Sequence, residues 1–256
     1  MGMGASAGHA LLFAGLVAAL AAPVAFGQTA ARPPVGGFGS PPDAMIFYVA
    51  HGGAEACGRD CAEWIAAEGT VQWDTHKRLI AILDRQAGRK LPIVIRTWGE
   101  SNLNVATSLG RILRDRGIDA TAGHTEVDAC TGKPDADCFA LKRPGGPLDA
   151  RIDQSQTSCD TACVLILAGA VHRRLPPDTR MTLSGMAIRN RRAPHVSDEN
   201  REGMTTYFDT QFRLYLREMG VDPELLDIID RNSAAHQMTE LPPSEWSRLG
   251  IVTTPP

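Results

Sequence analysis

Six cysteines, at positions 57, 61, 130, 138, 159 and 163, are the residues of this 256-residue chain whose type and spacing most directly prescribe chemistry. An even count in a chain that opens on an export-type segment reads first as a disulfide framework built from Cys57, Cys61, Cys130, Cys138, Cys159 and Cys163. Zinc is disfavoured, because two Cys-x-x-x-Cys pairs without a matching His pair depart from the two-residue ligand spacing. A thiol–disulfide exchange role for Cys159 and Cys163 is a further alternative. A helix N-terminus lowers thiol pKa, although the three-residue spacing differs from the usual redox motif. On connectivity, Cys130 and Cys138 bracket the Gly/Pro/Asp loop TGKPDAD and are placed to close it. Cys159 and Cys163 stack on one helical face with Cβ atoms roughly 6 Å apart, beyond the roughly 4 Å of a disulfide. They are therefore expected to reach other partners unless that first turn is distorted.

The export segment is Ala10 to Phe26, almost wholly apolar and broken by Pro23. Ala25 and Gly27 form the small-x-small pattern that a signal peptidase needs to release Gln28. The run is too short and Ala-rich for a membrane span, which takes roughly 20 strongly apolar residues. The n-region MGMGASAGH lacks Lys and Arg, so an uncleaved anchor and a misplaced start are the alternatives. The expected organisation is a signal peptide at 1–27, a Pro/Gly-rich linker at 28–43 and one α/β domain at 44–256, located in the periplasm or secreted. With 43% hydrophobic and 21% charged residues and a net charge of −3, the chain has the composition of a soluble domain. That balance gives no reason to expect a nucleic-acid partner or a stable membrane span after signal cleavage. No cofactor and no metal is expected.

Elements follow from periodicity. Strands are expected at 45–50, 91–96, 118–125 and 180–184, and helices at 75–86, 103–116 (stopped by Gly117), 159–171, 199–219 and 223–231. Residues 58–67 read as a short helix, 130–158 as a loop, and the tail at 238–241 and 245–252 as a return to a short strand. Alternating strands and helices imply a parallel sheet with crossover helices. Ligands of such sheets bind beyond the carboxyl ends of the strands. Thr97 to Ser101, His124 to Cys130 and Cys159 to Thr161 are thereby expected around one crevice.

Three segments together carry a family resemblance. Cys61-x-x-Trp64-Ile65-x-Ala67-Glu68-Gly69, Leu109-Gly110-Arg111-x-x-Arg114 and Cys159-x-x-Ala162-Cys163-x-x-x-Leu167-Ala168-Gly169 resemble exported proteins of the Clp protease/crotonase superfamily. Met238-Thr-Glu-Leu and Leu249-Gly-Ile-Val-Thr253 resemble that family's closing segment, so the likeness spans roughly residues 45 to 253. It implies repeated β-β-α and βαβ units around a parallel sheet flanked by helices, and often a homo-oligomer. In the superfamily's serine peptidases a Ser opens a helix, a His from the next strand takes its proton, and a Gly-Gly turn holds the oxyanion. Here the resemblance puts Thr161 at the nucleophile position and Ser184 at that of the His. The turn becomes Thr97-Trp98-Gly99-Glu100-Ser101, with one Gly of the pair missing. A β-branched internal Thr is hindered, and Ser184 is no base at neutral pH.

Other residues offer a replacement base or a ligand contact. The trio His124, Glu126 and Asp128 reads as the polar face of a strand edge, His172 lies a helix length from Thr161, and His195 sits in a basic loop. Trp98 is a stacking platform or a core residue, and Arg189, Arg191 and Arg192 are a solvated run or an anion contact. The leading expectation is an exported non-catalytic member of the superfamily. It holds a peptide, an acyl-type ligand or a protein partner at Trp98, Gly99, Glu100 and Ser101. The alternative is a divergent hydrolase with Thr161 as nucleophile and a base yet to be identified.

Overall fold

The central strands of the main sheet alternate their side chains between two buried layers. In Ile46–His51 (β1), Ile46, Tyr48 and Ala50 face one layer while Phe47 and Val49 face the other. Glu63–Gly69 (β2) does the same with Trp64 and Ala66 against Ile65 and Ala67. This strand replaces the short helix expected at 58–67. A strand buried on both faces carries a continuous apolar run, which periodicity alone does not separate from a helix. The computed structural model describes Met1 and residues 43–253 except 59–60, 156, 185–196 and 234–237. The export segment, the linker up to residue 42, the Arg189–Arg192 run and His195 lie outside the described residues. Residues 43 onward belong to a compact unit at 33–256.

After β2 come Thr75–Arg85 (α1), Ile93–Thr97 (β3) and Leu103–Arg116 (α2). The last is capped by the Asn102 side chain, which accepts the Val105 N–H, and is ended by Gly117 at φ +66°. The single strand expected at 118–125 divides at Gly123 into Ala120–Ala122 (β4) and His124–Val127 (β5). Gly123 donates its N–H to the Ile95 carbonyl at 3.1 Å, and the chain turns there. The expected loop at 130–158 holds Asp135–Lys142 (α3), Leu148–Asp153 (β6) and the start of Ser158–Asp160 (β7). Its Pro, Gly and Asp content masks elements that are set by tertiary pairing. Thr161–Ala168 (α4), Arg173–Arg174 (β8), Arg180–Leu183 (β9), Asp198–Met219 (α5) and Glu224–Ser233 (α6) follow. Thr239–Glu240 (β10) precedes Pro243–Arg248 (α7), a helical turn begun by a proline, where the tail had read as strand.

The fold is α/β with a mixed, mostly parallel sheet flanked by helices. The larger sheet has the order β5-β6-β1-β2-β3-β4-β8, and the smaller β10-β9-β7. The pairs β2–β3, β3–β4, β4–β8, β1–β6 and β7–β9 are parallel, whereas β1–β2, β5–β6 and β9–β10 are antiparallel. One layer of the sheet packs with α1, α2, α4 and α5. The opposite layer is a smaller cluster of Ile46, Tyr48, Ala50, Trp64, Ala66 and Val94, completed by Val127 and Ala150 of the β5–β6 ladder.

Helix α4 is buried all round. It meets α2 at a close approach, where a Cβ on Gly169 would stand 1.9 Å from the Gly110 carbonyl oxygen. These two glycines thus set how near the helices come. At the far end of α4, Arg114 and the buried Arg173 both donate to the Ala168 and Met219 carbonyls, closing the C-termini of α4 and α5. Burial, reinforced by the Arg114 charge, lowers the Arg173 pKa to about 10.

All six cysteines pair, as Cys57–Cys61, Cys130–Cys138 and Cys159–Cys163. The second closes the loop as expected. The third corrects the expectation drawn from helical spacing: Cys159 lies in β7, and α4 begins only at Thr161. The strand-to-helix turn brings the two Cα atoms to 5.2 Å.

Candidate functional site

The crevice is built where β3 and β7 end side by side. Asp160 is the N-cap of α4, and its Oδ1 accepts the Cys163 N–H at 2.9 Å. The same oxygen accepts the Thr97 hydroxyl at 2.6 Å, so the last residue of β3 is tied to the first turn of α4. Asp160 is the organising residue that sequence reasoning passed over. An Asp directly before an apolar helical run is an N-cap signal, which was available in the sequence.

Thr161 opens α4 and is only 6% exposed. Parallel pairing of β7 with β9 sets Asp160 opposite Thr182 and carries Thr161 to the end of β9. There its Oγ1 accepts the Ser184 N–H at 3.0 Å and donates to the Ser184 carbonyl at 3.2 Å. Thr161 and Ser184, linked in the sequence only through the family resemblance, therefore touch. They touch through the backbone of Ser184, and the threonine hydroxyl spends both its proton and an acceptor position on that backbone.

The turn after β3 forms a shelf beside this junction. The Trp98 carbonyl accepts the Thr70 hydroxyl at 3.0 Å, and Thr70 also reaches the Asp43 carboxylate at 2.7 Å. Gly99 sits at φ +68°, and a Cβ there would come within 2.9 Å of Thr70 Oγ1. Its conformation and its surroundings both call for glycine. Ser101 Oγ accepts the Val71 N–H at 3.1 Å. Gly99 and Glu100 are exposed. The half-buried Trp98 ring meets Phe139 edge-on at 6.2 Å, with the Arg96 guanidinium 5.5 Å from its centroid.

The third expected wall of the crevice lies elsewhere. Thr97 faces the layer of Ile93 and Ile95, while β5 folds onto the opposite layer through Val127. His124 to Cys130 are thus separated from Thr161 by the sheet. Asp128 also leaves the expected trio, since it falls in an exposed 3-10 turn after β5. His172 is exposed at the far end of α4 and pairs with Asp119, Nδ1 to Oδ1 2.9 Å.

The opposite layer holds charged groups. Lys142 of α3 and Glu68 of β2 form a buried pair, Nζ to Oε2 2.6 Å, with Nζ 5.3 Å from the centroid of the Tyr48 ring. Burial, followed by the Glu68 charge, raises the Tyr48 pKa. Desolvation, followed by the Arg96 charge, lowers that of His124.

No protein-family model matches the chain, and neither the curated proteins nor the solved structures give a match. Among the described residues, no helix is long and apolar enough to cross a membrane. The three disulfides are compatible with an oxidising compartment.

Proposed function

We propose that this chain is an exported, non-catalytic member of the Clp protease/crotonase superfamily, which holds a peptide or acyl-type ligand on the Trp98–Ser101 shelf. The observation that carries the reading is the two-way hydrogen bond between Thr161 Oγ1 and the Ser184 backbone. A nucleophile needs its lone pair aimed at substrate and its proton aimed at a base. Here the proton is given to a carbonyl, which does not act as a base. Asp160 adds to this, because its carboxylate accepts the N–H of Cys163, the third residue of α4, and sets a negative charge next to the Thr161 position. The superfamily placement draws support from the β-β-α order of β1, β2 and α1, from the helix-opening position of Thr161, and from its junction with the end of β9. The half-exposed Trp98 indole, with the Arg96 guanidinium beside it on the Phe139 side of the sheet, suits a ligand with an apolar group and a carbonyl or carboxylate.

The test uses the exported protein with a fluorophosphonate and with a panel of peptides and acyl thioesters. No covalent adduct is expected by intact mass. Any ligand that raises the melting temperature should lose its effect in Trp98→Ala and keep it in Thr161→Ser. A stoichiometric phosphonate adduct on Thr161, or turnover abolished by Thr161→Ala, would overturn the proposal in favour of a hydrolase.

A further inference from the structure

The polar face of β5 gains a third member from an unexpected direction. Antiparallel pairing with β6 sets His124 opposite Asp153 and Glu126 opposite Arg151. Residues opposite one another, and residues two apart along a strand, share a face. His124, Glu126 and Asp153 consequently converge, and one donor atom from each lies within 4.8 Å of the other two.

We propose that His124, Glu126 and Asp153 form a binding site for a divalent first-row metal ion, with Zn²⁺ as its reference ligand. This site lies across the sheet from Thr161, on the side where Arg96 stands near both His124 and the Trp98 ring, and it does not rest on the function proposed above, since its test reads metal binding alone.

The spacing is that of groups aimed at a common point rather than at each other. His124 Nδ1 and Glu126 Oε1 are 4.0 Å apart, beyond hydrogen-bond length. By contrast, His172 and Asp119 close directly to 2.9 Å. A shared ion with bonds of about 2.0–2.2 Å takes up a gap of that size after a small inward rotation of the side chains. An imidazole with two carboxylates is a donor set for Zn²⁺ or Mn²⁺ rather than for a hard cation that prefers all-oxygen cages. Three protein donors leave a position for water.

The surroundings hold the donors in place. Asp153 Oδ1 accepts the Ser155 N–H at 2.8 Å and the Ser155 hydroxyl at 2.7 Å, which leaves the second oxygen for the ion. Glu126 uses Oε2 to pair with Arg151, which leaves Oε1 on the His124 side. Such outer contacts orient metal ligands. Beneath the trio the ladder is anchored by buried Val127 and by Thr125, whose hydroxyl accepts the Trp64 indole N–H at 3.0 Å. Of the cations on that side, Lys142 is paired with Glu68 and Arg151 with Glu126, while Arg96, whose charge also acts on His124, lies against the Trp98 ring.

The exported protein, free of affinity tags and stripped with EDTA, is titrated with Zn²⁺ in competition with a chromophoric chelator. About one equivalent is expected to bind at the site, and His124→Gln and Asp153→Asn are each expected to weaken it about ten-fold or more. His172→Gln should leave the affinity unchanged. Co²⁺ loading supplies a second readout: a visible d–d band should appear in the wild type and be absent in His124→Gln. Near-UV circular dichroism establishes that each variant is folded, and Glu126→Gln replaces any variant that is not. Absence of saturable binding, or binding that survives both His124→Gln and Asp153→Asn, would refute the site.

Discussion

The hydroxyl of Thr161 offers a quantitative distinction between a structural and a catalytic residue. Thr161→Ala removes the oxygen that accepts the Ser184 N–H at 3.0 Å and donates to its carbonyl at 3.2 Å. A buried group left without its partner costs about 1–3 kcal/mol. Ser184 itself is exposed, so water recovers part of that loss, and the two bonds together amount to about 1–2 kcal/mol. The deleted methyl group adds about 0.8 kcal/mol, for a total of about 2–3 kcal/mol. In a chain of this size each kcal/mol moves the melting temperature by about 2–4 °C, so a drop of about 4–12 °C is expected. Thr161→Ser restores the hydroxyl and forfeits only the methyl group, a drop of about 2–3 °C. Urea unfolding followed by tryptophan fluorescence reads both differences. If the Ala and Ser variants prove equally stable, the hydroxyl does not hold β9 to α4 and the structural account of Thr161 is wrong.

Two further perturbations probe the scaffold. Lys142→Met leaves the Glu68 carboxylate buried and unpaired, at a cost of about 3–5 kcal/mol. The double variant Lys142→Met/Glu68→Leu should recover most of that loss in a urea double-mutant cycle, and a neutral single variant would refute the burial of the pair. Gly169→Ala places a Cβ 1.9 Å from the Gly110 carbonyl oxygen, forcing α2 and α4 apart, with an expected loss of about 3 kcal/mol, the upper end of the overpacking range, in the same assay. Gly203→Ala, in the second turn of α5 with open space around its Cβ, should instead stabilise by about 0.5–1 kcal/mol.

What could be read in the sequence follows how local each signal is. Helix α2 was legible to the residue, because Asn102 and Gly117 punctuate it and its apolar residues repeat at helical spacing. Strand β2 was not, because Trp64-Ile-Ala-Ala is buried on both faces and lacks alternation. Helix α3 and strand β6 were hidden in a stretch of Pro, Gly and Asp whose order comes from the Cys130–Cys138 bridge and from pairing with β5 and β1. The same failure hid Asp153: with β6 read as loop, nothing in the sequence brings position 153 beside His124. At the crevice, Thr161 and Ser184 were linked only through the family resemblance, as nucleophile and base positions, and the contact between them runs through the Ser184 backbone. The role of Asp160 as the link between Thr97 and α4 is a matter of side-chain direction that spacing does not encode.

The bridges join each cysteine to the next one in the chain, at separations of 4, 8 and 4 residues. Rings this small contribute only about 2 kcal/mol of chain entropy each, so their main effect is to pin local turns. Nearest-neighbour pairing also means that a polypeptide crossing a membrane from its N-terminus finishes each bridge before the next thiol emerges. In the exported form proposed above, oxidation in order of appearance would yield these same pairs without reshuffling, so an oxidant without an isomerase should suffice to regain them.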